Sequence, residues 1–226
     1  MNSKIYYKLN DVPKSNFVLA VDVNSKGTKK YIPFNTPKDI FIFNKGISKK
    51  NRNFYEVTQK LNPRKIYFDF DKKINDIDSS INIERFKEIF TPILKNVLET
   101  ISDIEINDSD IIYCNSSTDT KSSFHIILNK YCASVDIIKL VYKLVKKKLD
   151  EIDNLKDCLD SLVYGSNQCF RLLGSSKLGK NNFKKLNTKH KNTDTLISYT
   201  DKCQRIELNE LITDKIAVEK IKQENK

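Results

Sequence analysis

Two aspartates stand two residues apart in the segment KIYFDFD at 65–71, Asp69 and Asp71, set among the bulky apolar residues Ile66, Tyr67, Phe68 and Phe70. An Asp-x-Asp on a strand sets two hard oxygen ligands a few ångströms apart. That suits Mg²⁺ or Mn²⁺ and a substrate whose phosphates complete the coordination shell. A solvated surface pair is the plainer alternative, but exposed loops rarely read Ile-Tyr-Phe-Asp-Phe-Asp. In SSFHIIL at 122–128, Ser123 and His125 emerge together if the segment is extended, and a hydroxyl beside an imidazole can hold phosphate oxygens. A satisfied, semi-buried histidine is the competing interpretation. Arg171, between Phe170 and Leu172, must find an anionic or planar partner; a structural salt bridge would also serve.

The elements that position these residues can be read from periodicity. Strict alternation over 65–71 places Ile66, Phe68 and Phe70 on one face of a strand and Tyr67, Asp69 and Asp71 on the other. Upstream, residues 1–60 read as short strands and turns, with strands at 17–23, 31–34 and 39–43. Downstream, a helix is expected over 83–101 with Asn82 as N-cap and Pro92 kinking or splitting it. Strands at 110–115 and 122–129 form a hairpin through SSTDTK, and a second helix over 135–152 is capped by Ser134. A turn at 165–167 leads to a strand near 169–174, with Arg171 and Lys177 on one side if the pleat persists. A long basic loop follows over 178–196, then strand-like LISYT and a charged helix from about 207 to the end.

Composition narrows the class. The chain has 226 residues, 39% of them hydrophobic, enough for a buried core rather than a disordered tail. No apolar run of about 18 residues and no secretory leader are visible, so a soluble, intracellular protein with no membrane association is expected. The five cysteines are scattered without zinc-ligand spacing, which predicts free thiols and no structural zinc. A net charge of +11 favours an anionic partner, although the richness in Lys, Asn and Ile is also what AT-rich coding produces.

Three segments in order, FYEVTQKLNPRKIYFDFDKK at 54–73, KSSFHII at 121–127 and DSLVYGSNQCFRLLGSSK at 160–177, resemble the motifs of the archaeo-eukaryotic primase superfamily. The likeness is greatest to the branch containing primase-polymerase, the herpesvirus primase and the primase half of poxvirus-type helicase-primases. It covers about half the chain, and the third motif is the most specific. It implies an α/β (α+β) fold: a catalytic core over 61–205 built on a sheet of the RNA-recognition type, an N-terminal αβ unit at 1–60, and a charged helix or linker at 206–226.

The same resemblance implies the chemistry. Asp69, Asp71 and Asp160 match the acidic residues that hold two Mg²⁺ or Mn²⁺ ions, about 3.5–4 Å apart, for transfer of a nucleotide from a nucleoside triphosphate to a primer 3′-hydroxyl. Ser123 and His125 match a triphosphate grip, with Lys121 beside it. Arg171 and Lys177 match residues that contact the incoming nucleotide and its phosphates. Where some relatives carry a further arginine, this chain has Gln168. Lys184, Lys185 and Lys189 are candidate contacts for a single-stranded DNA template. A helicase domain or subunit is an expected partner. The downstream zinc module of the branch has no counterpart here, which implies either a core excised from a longer helicase-primase or a stand-alone enzyme whose initiation is helped by a partner or not needed. A lesion-bypass polymerase, an inactive DNA-binding module and a metal-dependent nuclease are the alternatives; the last leaves Ser123, Arg171 and Lys177 without a purpose.

Overall fold

The computed structural model describes residues 4–13, 17–59, 62–74, 81–165 and 167–213. Strands β1 (Phe17–Asp22) and β2 (Lys29–Phe34) form an antiparallel hairpin. Helix α1 (Pro37–Gly46) follows, and then strand β3 (Phe54–Thr58) pairs with the other edge of β1. The expected strand at 39–43 is therefore helical. Thr36 accepts a hydrogen bond from the Asp39 N–H, and Pro37 occupies the first turn, where its missing N–H costs nothing. Those capping signals outweigh the short alternation of Ile and Phe. They bury Ile40 and Phe41 against Phe17, Leu19, Ile32 and Phe34.

Strand β4 (Arg64–Lys73) opens a second sheet. Helix α2 (Ile83–Ser102), strands β5 (Ile111–Asn115) and β6 (Lys121–Ala133), and helix α3 (Val135–Asp150) follow. In space β6 lies between β4 and β5, antiparallel to both. A bridge between Leu159 and Phe70 then returns the chain along the free edge of β4, again antiparallel. The faces follow the two-residue period of a strand. Phe68 meets Phe90 of α2 at 5.0 Å between ring centroids, and Phe70 meets Phe86 at 4.3 Å. Asn82 and Ser134 cap α2 and α3 as expected, each accepting from the backbone N–H three residues on. The inward residues of α3 are Ile138, Val141, Tyr142, Val145 and Leu149. Pro92 does not split α2. It sits on the exposed side, where water can satisfy the carbonyl that its ring leaves without a donor.

The chain then crosses back to the first sheet. Strand β7 (Gln168–Arg171) pairs antiparallel with β3, placing Arg171 opposite Tyr55 and Phe170 opposite Glu56. The expected strand at 169–174 stops at Arg171, because the chain turns through Gly174 at φ +77°, so Lys177 does not share a pleat with Arg171. Ser166 of the expected turn lies outside the described residues. The basic stretch is not structureless: Lys185–Leu186 forms strand β8 on the edge of β5, and a short helical turn covers Asn192–Thr195. LISYT is not a strand. Leu196 and Ile197 are completely buried, one in each of the two main cores, and Ile197 is fixed by hydrogen bonds from its backbone to β3 and β4. A short strand β9 (Gln204–Arg205) adds a parallel pair to β6. Residues 210–213 are helical, and the rest of the expected terminal helix lies outside the described residues. The result is a mixed α/β fold with two mainly antiparallel sheets. Among the described residues no helix is long and apolar enough to cross a membrane.

Candidate active site

The register of β4 against β6 assembles the centre of the site: Asp69 lies opposite His125 and Asp71 opposite Ser123. Because each pair is two residues from the next, all four side chains leave the same face, away from α2 and α3. Asp69 Oδ1 is 3.6 Å from His125 Nε2, beyond good hydrogen-bond reach, while Asp71 Oδ2 pairs with Lys121 Nζ at 2.6 Å.

Asp160 arrives by backbone pairing. Its N–H donates to the Asp69 carbonyl at 2.9 Å, and the Asp71 N–H donates to the Cys158 carbonyl at 2.8 Å. The carboxylate accepts from the Leu162 N–H at 2.8 Å, which begins the turn Leu162–Tyr164. Burial pushes the Asp69 carboxyl above the ordinary carboxylate range. Asp71 and Asp160 add to the rise as neighbouring negative charges, and Lys184 and Arg171 oppose it.

The other sheet closes the face. The Phe170 ring stacks on His125 with centroids 3.8 Å apart and an interplanar angle of 22°. Arg171 Nη2 donates to Ser116 Oγ at 3.5 Å, and Ser116 Oγ lies 3.1 Å from Ser123 Oγ, so a hydroxyl relay joins the guanidinium to the β6 serine. Arg171 Nη1 is buried without a hydrogen-bond partner among the described residues. Burial, with the positive charges of Lys184, Arg171 and Lys177, holds His125 well below its usual value, so the imidazole is neutral near pH 7.

The remaining candidates separate. Lys177 is exposed beyond the Gly174 turn, although its charge still reaches His125. Gln168 turns its amide to the neighbouring Cys169 carbonyl. Lys185 and Lys189 are exposed, but Lys184 is 2% accessible and lies within the electrostatic reach of Asp69, Asp71 and Arg171. It is therefore not a solvent-facing neighbour of the other two: pairing of Lys184 with Gly174 and Ser175 turns its side chain inward. Burial first, and then Arg171, draw its ammonium below the usual lysine range. The sequence carries no signal that places Ser116 and Phe170 on this face: Ser116 falls in the turn-rich SSTDTK, and Phe170 reads as one more apolar residue of a strand.

Whether the face suits metal ions can be tested on its oxygens. Among the described residues no three His, Cys, Asp or Glu side chains converge into a protein-only cage. Asp69 Oδ1 and Asp71 Oδ1 are nevertheless buried without hydrogen-bond partners, which is costly unless something cationic completes them. Mg²⁺ commonly binds through one or two carboxylates, with water and substrate phosphates filling the other positions. The donor set fits that mode.

No curated protein matches the chain. A family model described as the C962R protein N-terminal AEP domain matches residues 43–190, which include every carboxylate, serine, histidine and arginine of the face just described. With well over half its length so matched, the chain belongs to the archaeo-eukaryotic primase (AEP) family, of the C962R N-terminal type.

Proposed function

We propose that this chain is the catalytic core of a DNA primase-polymerase, which transfers nucleotides from nucleoside triphosphates to a growing primer along a single-stranded template. The family is one of primase-type nucleotidyltransferases. The single observation that carries the finer reading is the opposition of Asp69 and Asp71 to His125 and Ser123 across β4 and β6, with Asp160 bonded alongside.

In this reading Asp69, Asp71 and Asp160 hold Mg²⁺ or Mn²⁺, which when bound supplies electrostatic activation of a hydroxyl and neutralisation of the leaving pyrophosphate. Arg171 and Ser123, linked through Ser116, orient the phosphates, and Lys121 and Lys177 add positive charge at the rim. Phe170 holds the His125 ring flat against β7, so its neutral nitrogens are presented at a fixed position. The order of Leu159, β4, β6 and β5, with two helices on one face, supports assigning this sheet to the RNA-recognition type. Residues 61–205 are then the core and residues 1–60 its accessory unit, joined through β7.

Synthesis on a single-stranded circular template with Mg²⁺ or Mn²⁺ and labelled nucleotides, with and without an annealed primer, tests the reading. Extension of the primer is the expected result, and products without a primer would add initiation to the activity. No product under either condition would overturn the proposal in favour of an inactive binding module. Lys185 and Lys189, exposed beside β5, are proposed to touch the template backbone. Replacing both by Gln should lower the slope of log affinity against log salt by roughly 0.7 per lysine, and an unchanged slope would retire them.

A further inference from the structure

Among the described residues, four buried polar atoms on one face lack hydrogen-bond partners: Asp69 Oδ1, Asp71 Oδ1, Arg171 Nη1 and Lys184 Nζ. Two belong to carboxylates and two to cations, so the group is unsatisfied in both signs. A ligand that brings cations to the carboxylates and anionic oxygens to the guanidinium and ammonium would complete all four. A metal-bound polyphosphate has that composition.

Lys184 is held for such a role by its backbone. The Gly174 N–H donates to the Lys184 carbonyl at 2.9 Å, and the Lys184 N–H donates to the Ser175 carbonyl at 3.0 Å. The intervening loop is thereby pinched closed, and β8 is pinned to β5 immediately afterwards. A lysine meant for solvent or for a template strand would be exposed, as Lys185 is; Lys184 is 2% accessible.

We propose that Lys184 Nζ, with Arg171 Nη1, binds a phosphate oxygen of the incoming nucleotide's triphosphate, making Lys184 a residue of the nucleotide site and not a template contact. The proposal rests on the nucleotidyl-transfer reading above and specifies a phosphate ligand within it.

The test is calorimetric titration of the whole chain with inorganic tripolyphosphate in the presence of Mg²⁺, and separately with a single-stranded oligonucleotide. Lys184→Met should bind tripolyphosphate at least about 10-fold more weakly than the wild type, because a charge-assisted hydrogen bond is lost. Lys184→Arg should recover part of that loss, oligonucleotide affinity should be unchanged, and the unliganded melting midpoint of Lys184→Met should not fall. Lys184→Gln serves as the second variant if methionine impairs folding. A counter-ion with only a structural role would give the opposite pattern, a lower melting midpoint with tripolyphosphate affinity intact, and that would overturn the proposal. So would weaker oligonucleotide binding in place of weaker tripolyphosphate binding, or a wild-type chain that does not bind tripolyphosphate. Failure of the polymerase reading shows separately, as absent synthesis with Lys184-dependent tripolyphosphate binding intact.

Discussion

Replacing Asp69 and Asp71 together by alanine is expected to reduce primer extension by at least about 10³-fold while the chain stays folded. The loss is large because the two residues supply two of the three carboxylates proposed to hold metal, and electrostatic stabilisation by a bound cation is worth several kcal/mol, each 1.4 kcal/mol being tenfold in rate. The fold should survive because, among the described residues and beyond the pair of Asp71 with Lys121, neither carboxylate ties one element to another by a hydrogen bond, and the buried Lys184, left with less negative charge beside it, can shed its proton. Asp69 Oδ1 and Asp71 Oδ1 have no hydrogen-bond partners among the described residues, and burial beside like charges already disfavours the ionised form of Asp69. The ion pair of Asp71 with Lys121, lost in the variant, is partly exposed and contributes little. Circular dichroism and the thermal midpoint should therefore stay close to the wild type while synthesis disappears. Synthesis at wild-type rate in the double variant would remove the mechanism proposed for this face.

Replacing Glu56 by alanine is expected to destabilise the chain by about 3 kcal/mol, an effect on folding with no counterpart at the reacting centre. The Glu56 carboxylate is buried on β3 and accepts from the Ile197 N–H at 3.0 Å, the Ser198 N–H at 3.1 Å and the Ser198 hydroxyl at 2.9 Å. The Lys65 N–H donates to the Ile197 carbonyl at 2.9 Å, so this single side chain helps tie the first sheet to the second through a buried turn. Truncation leaves two backbone donors without an acceptor. Urea unfolding would show the loss as a lower midpoint, and an unshifted midpoint would mean that water reaches the Ile197 turn.

The same residue gives the protein a pH dependence. Burial pushes the Glu56 carboxyl up to about 7, although three hydrogen bonds and the charge of Lys65 oppose the rise. The folded state thus holds the proton more tightly than the unfolded chain. The stability from this group is complete below about pH 4.5 and is lost as pH rises through 7, by about 3 kcal/mol in all. Glu56→Gln, which cannot titrate, should show less decline between pH 5 and 8 than the wild type, and parallel declines would contradict the assignment.

Several features of the fold were legible because they depend on residues close in sequence. The alternation of KIYFDFD sets Asp69 and Asp71 on one face whatever surrounds them, and the Asn82 and Ser134 caps mark helices whose apolar stripes repeat every three or four residues. The helix at 37–46, where alternation over 39–43 suggests a strand, is also a local matter: the Thr36-Pro37 cap signal is present in the sequence and outweighs five residues of mixed pattern.

Local pattern, by itself, determined which residues bear charge and which face of their own strand they share. Only the tertiary structure decided what they meet. Arg171 reaches Ser116 because β7 pairs with β3 of the first sheet while Phe170 packs against the second, and Lys184 turns inward because residues 174 and 175 fold back on it. Glu56 becomes a buried tie because Ile197, 141 residues later, carries its N–H to the same place. Burial of a charge, and hence its protonation and its need for a ligand, is set by the low-polarity surroundings that distant segments build around it. No window of sequence short enough to show a periodicity contains those segments.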